Sequence, residues 1–136
     1  MFFPIGVVEM ARKQTAQDKL AQFDRIKTAI AALEQQKKLI FANGEVTPKG
    51  CVLARYQVRQ KQKVYWYYKL QAQTAIFPKA SDTKAKSKYK HLGKAGSEAH
   101  ITAVMQMVKR SQIDEIQRAI DTLEQNLLDV GFDKEQ

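Results

Sequence analysis

Two long stretches without helix-breaking residues enclose a central basic segment, and this division most constrains the fold. Residues 8–43 and 97–130 contain neither proline nor glycine and are rich in Ala, Gln, Lys, Glu and Leu, so each is predicted to form one long helix. The segment between them, residues 49–92, contains runs rich in Val, Tyr and Trp, which favour β-strands. We expect a single domain over residues 1–136.

Each predicted helix has one apolar stripe in which most residues are spaced three or four apart; Lys37 lies in a gap of seven in the first stripe, and the second is regular only from Ile113 on. In the first helix the stripe consists of Ala16, Leu20, Phe23, Ile26, Ile30, Leu33 and Ile40, and in the second of Ile101, Met105, Val108, Ile113, Ile116, Ile120, Leu123, Leu127 and Val130. A long helix of this kind needs a partner to be stable. We therefore expect two antiparallel, coiled-coil-like helices, paired either within one chain or between the chains of a homodimer.

The middle segment is predicted to form a three-stranded antiparallel meander over residues 51–59, 64–71 and 88–92, which makes the fold class α+β. The first turn lacks Gly and Asn, so we expect a loop of about four or five residues there, and a mobile lysine-rich loop over residues 78–87. With that register one face is apolar and packs on helix. The apolar face would carry Val52, Ala54, Tyr56, Val58, Val64, Trp66, Tyr68 and Leu70, and the opposite, basic face Leu53, Arg55, Gln57, Arg59, Tyr65, Tyr67, Lys69 and Gln71.

Positive charge is concentrated in the middle of the chain. The protein has a formal net charge of +9, yet residues 49–94 contain twelve of its 23 Lys and Arg residues and only one of its 14 acidic residues, Asp82. Aromatic residues are interleaved with the basic ones. Like charge of this density is offset when a polyanion binds, so the segment indicates a nucleic acid partner, with DNA favoured over RNA.

Thirteen residues of the basic segment are predicted to contact DNA. The Arg and Gln side chains of the first strand are types that pair with guanine and adenine edges in the major groove. The Tyr and Lys side chains of the second strand would contact phosphate or stack, and the remaining lysines would follow the DNA backbone. The predicted contact residues are Arg55, Gln57, Arg59, Lys61, Lys63, Tyr65, Tyr67, Lys69, Lys84, Lys86, Lys88, Lys90 and Lys94.

The sequence offers little for catalysis or metal binding. It has two histidines, His91 and His100, and one cysteine, Cys51, without metal-ligand spacing and without a phosphate-binding glycine motif. We therefore expect no enzyme, no catalytic residues, no metal, no cofactor and no small-molecule substrate. The single cysteine indicates a reducing compartment, and no apolar run is long enough to span a membrane. A cytoplasmic protein without a membrane partner is expected, nucleoid-associated if it binds DNA.

Three short motifs carry a resemblance to known proteins. They are Gly50-Cys-Val-Leu-Ala-Arg-Tyr, Val64-Tyr-Trp-Tyr-Tyr-Lys, and Lys88-Tyr-Lys-His-Leu-Gly-Lys followed by a long helix. Over residues 48–130 the chain resembles small basic DNA-binding accessory proteins of bacterial mobile elements, and its sheet is similar to the three-stranded DNA-binding modules of integrases. The resemblance implies DNA binding through the sheet. The cysteine pairs of some of those proteins are missing here, so it implies no metal site.

The sequence thus predicts a double-stranded DNA-binding protein, a regulator or mobile-element accessory factor, that contacts DNA through a basic aromatic sheet. We expect it to be a homodimer, since one sheet alone offers little contact area for specificity. Two alternatives stay open. In the first, the protein binds RNA or single-stranded nucleic acid, with Tyr65, Tyr67 and Tyr89 as stacking platforms. In the second, it is a coiled-coil adaptor that binds another protein through its helices.

Overall fold

The computed structural model describes residues 15–82 and 84–132, with the backbone alone for Phe132. The chain divides into two compact units, which are taken separately below. Of the described residues, 15–39 and 115–132 belong to the helical unit, and Ile40–Asp114, apart from residue 83, form the sheet unit. In chain order the elements are α1 (Ala16–Ala42), β1 (Val52–Gln60), β2 (Lys63–Gln71), β3 (Phe77–Pro78), β4 (Lys86–Ser87), β5 (Tyr89–Lys94) and α2 (Glu98–Phe132).

Helix α1 begins at Ala16 because Thr15 and Asp18 cap it. Thr15 Oγ1 accepts the backbone N–H of Asp18 at 3.1 Å, and Asp18 Oδ2 accepts the backbone N–H of Thr15 at 3.2 Å. After the helix, Gly44 has a φ of 109°, in the left-handed region that favours glycine. The helix predicted over residues 8–43 is therefore present from Ala16 to Ala42, and its first seven residues lie outside the described residues.

A turn of only two residues joins β1 to β2. Lys61 and Gln62 have positive φ angles of 48° and 67°, a combination typical of the type I′ turn, whose twist matches that of a hairpin. Gln60 therefore pairs with Lys63 across the turn. The predicted loop of four or five residues is therefore wrong. Lys and Gln rarely adopt positive φ angles, so these two residues did not indicate a type I′ turn in the sequence.

The observed register changes which residues share a face of the hairpin. Leu53 pairs with Leu70 and Tyr56 with Tyr67, so odd-numbered residues of β1 lie beside even-numbered residues of β2. The two predicted faces are therefore wrong, since they placed even beside even. The inner face carries Leu53, Arg55, Gln57, Arg59, Val64, Trp66, Tyr68 and Leu70, and the outer face Val52, Ala54, Tyr56, Val58, Gln60, Lys63, Tyr65, Tyr67, Lys69 and Gln71.

Strand β5 pairs with β2 and completes a three-stranded sheet of order β1-β2-β5. A bulge shifts the pairing: Tyr68 lies opposite Gly93, whereas Lys69 lies opposite His91. Leu92, between the two, has no partner and is buried. The φ of 88° at Gly93 accommodates this extra residue. The bulge thus adds a core side chain without turning its neighbour His91 away from the outer face.

A second, two-stranded sheet is formed by β3 and β4. Phe77 lies opposite Ser87, and Pro78 lies opposite Lys86. Phe77 is buried and belongs to the same apolar cluster as Leu70 of the larger sheet. The stretch predicted to be a loop over residues 78–87 therefore has strand residues at both of its ends.

The inner face of the larger sheet packs against the first turns of α2. Ser97 caps this helix: its Oγ accepts the N–H of His100 at 3.2 Å and donates to the carbonyl of Leu92 at 2.9 Å. The ring of His100 stacks on Tyr68, with centroids 3.9 Å apart. Around this stack lies the core of the sheet unit, formed by Cys51, Leu70, Ala72, Phe77, Leu92 and Ala103, with Leu53, Tyr68 and Met107 packed against it.

The apolar stripe predicted for the first half of α2 is wrong. Its residues Ile101, Met105 and Val108 are 49%, 59% and 47% exposed. Ala103, on another side of the helix, is buried instead. The sheet packs on the side that carries Ala103 because Tyr68 stacks on His100 there.

Helix α1 and the second half of α2 form the helical unit. Ile120 of α2 is buried, but α1 has no buried residue, and Leu20 of its predicted stripe is 61% exposed. Lys37 lies in α1 between Leu33 and Ile40 of the predicted stripe, and its Nζ donates to Gln117 Oε1 of α2 at 2.6 Å. A charged side chain therefore interrupts the predicted apolar stripe.

Over the described residues, the backbones of the two helices are not as closely paired along their length as those of a coiled coil. The predicted fold class, with two antiparallel coiled-coil-like helices, is therefore wrong. One helix precedes and another follows a small antiparallel sheet.

Candidate nucleic-acid interface

Tyrosines from all three strands lie on the outer face of the larger sheet, directed away from the core beneath the inner face. Tyr89 is 40% exposed, and the other three rings are half-buried. Lysine and histidine side chains of β2 and β5 lie among them. We name this surface the outer platform, and it consists of Tyr56, Tyr65, Tyr67, Lys69, Tyr89, His91 and Lys94.

Ring contacts hold the centre of the outer platform together. Tyr56 and Tyr67 are cross-strand partners whose ring centroids are 6.0 Å apart, with an angle of 35° between the ring planes. The Tyr56 hydroxyl lies 3.0 Å from His91 Nδ1, which makes a hydrogen bond between the two outer strands of the sheet. Neighbouring rings are thus fixed in place before any ligand arrives, which lowers the entropy cost of binding.

Two lysines lie above the tyrosine rings. Lys69 Nζ is 4.5 Å from the ring centroid of Tyr89 and 5.0 Å from that of Tyr56. Lys94 Nζ is 4.3 Å from the ring centroid of Tyr65. At these distances an ammonium group is attracted to the face of the ring. The outer platform therefore places a positive charge beside three ring faces, an arrangement that suits a ligand with both flat rings and negative charges.

No acidic residue offsets this charge within the sheet, because β1, β2 and β5 contain neither Asp nor Glu. The acidic residues nearest to these strands in the sequence are Glu45, Asp82 and Glu98, and Asp82 Oδ1 accepts the backbone N–H of Lys84 at 3.0 Å. The lysines of the outer platform consequently make no ion pair within the sheet, and their charge remains available to a polyanion.

The end of the hairpin extends beyond the third strand. Strand β5 pairs with β2 only from Tyr67 to Gln71, so residues 57–66 are flanked by no other strand. We name this stretch the distal ribbon. Val64 and Trp66, on its inner face, are 46% and 37% exposed. Both faces of the ribbon are thus accessible, unlike the half of the hairpin that packs on α2.

Arginine and glutamine side chains gather on the inner face of the distal ribbon and just before it. The guanidinium of Arg55 lies 3.4 Å from the ring centroid of Trp66, close enough to stack on it. Gln57 is the cross-strand partner of Trp66. We name this surface the inner patch, and it consists of Arg55, Gln57, Arg59, Val64 and Trp66, all exposed.

The structure divides the predicted DNA-contacting residues among several places. Tyr65, Tyr67, Lys69 and Lys94 lie on the outer platform, whereas Arg55, Gln57 and Arg59 lie on the opposite face in the inner patch. The expectation that the tyrosines and the arginines share one face is therefore wrong, and the reason is the register, which pairs odd-numbered residues of β1 with even-numbered residues of β2. Lys61 lies in that turn and Lys63 at the start of β2. The remaining predicted residues, all exposed and in or near β4 and β5, are Lys84, Lys86, Lys88 and Lys90.

Sequence reasoning missed two members of the outer platform. Tyr56 was assigned to the apolar face because the wrong register paired it with core residues. His91 lies on the same face as Tyr89 but was not included among the contact residues. A loop of two or of four residues places Tyr56 beside Tyr67, whereas the predicted faces require an odd number of loop residues.

The potential metal ligands of the described residues are scattered, and the single cysteine of the chain is buried. The described residues contain no group of three or more His, Cys, Asp or Glu residues that could hold a metal ion. Cys51 is buried in the core, and desolvation raises the pKa of its thiol, an effect that the charge of Arg110 partly opposes. No helix in the described part is long and apolar enough to cross a membrane.

Compared with known protein families, with curated proteins and with solved structures, the chain matches none. The resemblance to mobile-element proteins therefore stays an expectation, and function has to be argued from the surfaces of the sheet.

Proposed function

We propose that this protein binds single-stranded nucleic acid on the outer platform. The observation that carries the proposal is that four tyrosines, supplied by all three strands, lie on one face of the sheet with lysine ammonium groups beside three of the rings. Nucleobases stack on aromatic side chains, and phosphates pair with lysine, so this surface offers a partner to each part of a nucleotide.

The register of the hairpin favours single strands over a duplex as the ligand of this face. The bases of a duplex are already stacked on one another, and a protein reads them by hydrogen bonds to their edges. The arginine and glutamine side chains suited to that task lie on the inner face. What remains on the outer platform is ring surface and positive charge, which bind unstacked bases with little sequence preference.

Double-stranded DNA is the second candidate, favoured by the exposure of the distal ribbon. The major groove is about 12 Å wide and admits a two-stranded β-ribbon. The inner patch offers Arg55, Gln57 and Arg59 to base edges, and Lys61 and Lys63 at the tip would contact phosphates. Under this second candidate, the protein would be a regulator or accessory factor of a mobile element, cytoplasmic and nucleoid-associated. It would act as a homodimer, which sedimentation velocity tests.

Fluorescence anisotropy tests the leading proposal with labelled single-stranded DNA, single-stranded RNA and duplex DNA of one sequence, in a salt series around roughly 150 mM. The Tyr65→Leu, Tyr67→Leu variant removes two rings, whereas Tyr65→Phe, Tyr67→Phe keeps them. We expect the Leu variant to bind single strands at least about tenfold more weakly, since each stacked base contributes about 1–3 kcal/mol. The Phe variant should bind like the parent protein.

A matched control removes charge elsewhere. Lys27 and Lys38 are exposed on α1, and Lys27→Ala with Lys38→Ala should leave affinity nearly unchanged. Circular dichroism verifies that each variant is folded. Equal affinities of the Leu and Phe variants would refute stacking on the outer platform. If the parent protein bound none of the nucleic acids, the result would favour the adaptor hypothesis instead.

A further inference from the structure

We infer that the preferred ligand is a junction, in which a duplex continues into a single strand, and that the two parts occupy opposite faces of the β1–β2 hairpin. The inference rests on the proposed function, since it gives the single strand to the outer platform. It adds a second binding site, the inner patch, and a ligand class that neither face defines alone.

The inner patch has the chemistry of duplex recognition. Arg side chains pair bidentately with the O6 and N7 of guanine, and Gln pairs with the N6 and N7 of adenine. Arg55, Gln57 and Arg59 follow one another at every second residue of β1, on one face and all exposed. The stacking of Arg55 on Trp66 fixes its guanidinium, so less side-chain entropy is lost when it pairs with a base.

The geometry of the hairpin gives this patch access to a groove. Residues 57–66 have no third strand beside them, and strands lie about 4.8 Å apart. The backbone of the ribbon is therefore narrower than the major groove, which is about 12 Å wide. Arg55, opposite Tyr68, lies just before the ribbon; beyond it the sheet has β5 on one side and α2 beneath, is wider and would remain outside the groove.

The two sites share the same pair of strands and a basic tip. Tyr65 of the outer platform is the neighbour in sequence of Val64 and Trp66 of the inner patch. Lys61 and Lys63 lie at the end of the hairpin, where one face gives way to the other. A nucleic acid strand that leaves a duplex on the inner side can therefore pass this tip to the outer side with its phosphates next to lysines.

A ligand that is single-stranded or double-stranded throughout meets only one site with its preferred chemistry. A forked DNA satisfies both at once, and the second contact then becomes intramolecular. Linked contacts of this kind raise affinity without any additional interaction, because the local concentration of the second site is high. Preference for a fork is thus the property that distinguishes this inference from the binding of single strands alone.

Anisotropy with forked DNA, and with the matched single strand and duplex, tests the inference on the full chain. We expect the fork to bind at least about tenfold more tightly than either component. Arg55→Gln with Arg59→Gln should abolish this advantage while leaving single-strand affinity within about twofold, because the arginines lie on the other face. Lys27→Ala with Lys38→Ala is the control of equal charge.

The outcomes separate the inference from the proposed function. A fork that binds no more tightly than the single strand overturns the inference, while single-strand binding that depends on Tyr65 and Tyr67 still supports the outer platform. An equal loss of fork and single-strand binding in the arginine variant also overturns the inference.

The control that removes two positive charges uses Lys27 and Lys38 rather than Lys109 and Arg110. Lys109 and Arg110 donate hydrogen bonds to the backbone carbonyls of Asn43 and Thr47, so replacing them would also remove contacts of the fold.

Discussion

The Tyr56 hydroxyl and His91 Nδ1 are hydrogen-bonded at 3.0 Å, although their strands, β1 and β5, are separated by β2. The bond lies on the outer face and connects the two edge strands of the sheet across β2, where Tyr67 is the partner of Tyr56 and Lys69 that of His91. It therefore fixes the positions of two members of the outer platform relative to each other.

Replacing Tyr56 by Phe removes the hydrogen bond to His91 but keeps the ring of the outer platform. The ring remains, so single-strand affinity is expected to stay near that of the parent, while the free energy of unfolding falls by about 0.5–1 kcal/mol. Urea denaturation measures the loss. His91→Leu should have a similar effect, and the double variant should lose no more than either single one. Additive losses would show that the two side chains act independently.

The turn at Lys61 and Gln62 should be open to improvement. Both residues have positive φ, which costs energy for a side chain with a Cβ and none for glycine. Lys61→Asn with Gln62→Gly places the preferred type I′ pair there and should raise the free energy of unfolding by about 1 kcal/mol. Lys61→Ala removes the same charge without the preferred conformation, and it should bring no gain. A higher free energy of unfolding in Lys61→Ala would show that the stabilisation comes from reduced charge repulsion and not from the turn conformation.

The turn also marks how far the sequence determined the candidate site. Alternation in β1 and β2 correctly predicted two antiparallel strands, because the period of side chains in a strand is local information. The assignment of faces depends on whether the loop has an even or an odd number of residues, and the predicted faces, which set Arg55 beside Tyr65, require an odd number. Lys-Gln at the tip carries no sign of positive φ, so propensity did not reveal the length of the turn, but the predicted strand ends at Arg59 and Val64 already imply the observed pairing.

The helices illustrate a different limit. The absence of Pro and Gly predicted where α1 and α2 lie, to within a few residues over the described part of the chain. The apolar stripe of α2 included the buried residues Ile113 and Ile120, but it did not predict how the first half of the helix packs. Ala103 and His100 face the sheet because they suit Tyr68, and such complementarity between distant segments is not visible as periodicity within one helix.

The cap of α1 should make its stability depend on pH. Hydrogen bonds from the side chain and backbone of Thr15 hold the pKa of the Asp18 carboxyl below its ordinary value. Since the folded pKa is the lower one, the stabilisation is present above the unfolded pKa and is lost as the pH falls through the folded value. Helix content followed by circular dichroism from neutral to acidic pH should decline less in Asp18→Asn than in the parent. An identical acid transition in both proteins would contradict the cap.

Cys51 should be unreactive in the folded protein. Burial raises the pKa of its thiol, and the nearby Arg110 only partly opposes the effect. The thiolate that attacks a thiol reagent is therefore scarce, and labelling at neutral pH should be much slower than in urea. Because the pKa of Cys51 is higher in the folded protein, the neutral thiol contributes its full stability below the unfolded pKa, near 8.5. This contribution is lost as the pH rises through the folded pKa. Cys51→Ala should lack this alkaline dependence, and rapid labelling of the folded parent would disprove burial of the thiol.

Thr47 carries a hydroxyl that the fold does not use. The residue is 1% exposed, and its carbonyl accepts the Arg110 Nε–H at 2.7 Å, but among the described residues its Oγ1 has no hydrogen-bond partner. A buried hydroxyl without a partner costs about 1–3 kcal/mol. Thr47→Val keeps the shape and the carbonyl bond, so it should raise the free energy of unfolding by about 1 kcal/mol. Thr47→Ser keeps the hydroxyl and removes a methyl group, and it should lower the same quantity. Urea denaturation of both variants decides, and a loss of stability in the Val variant would show that the hydroxyl is hydrogen-bonded in solution.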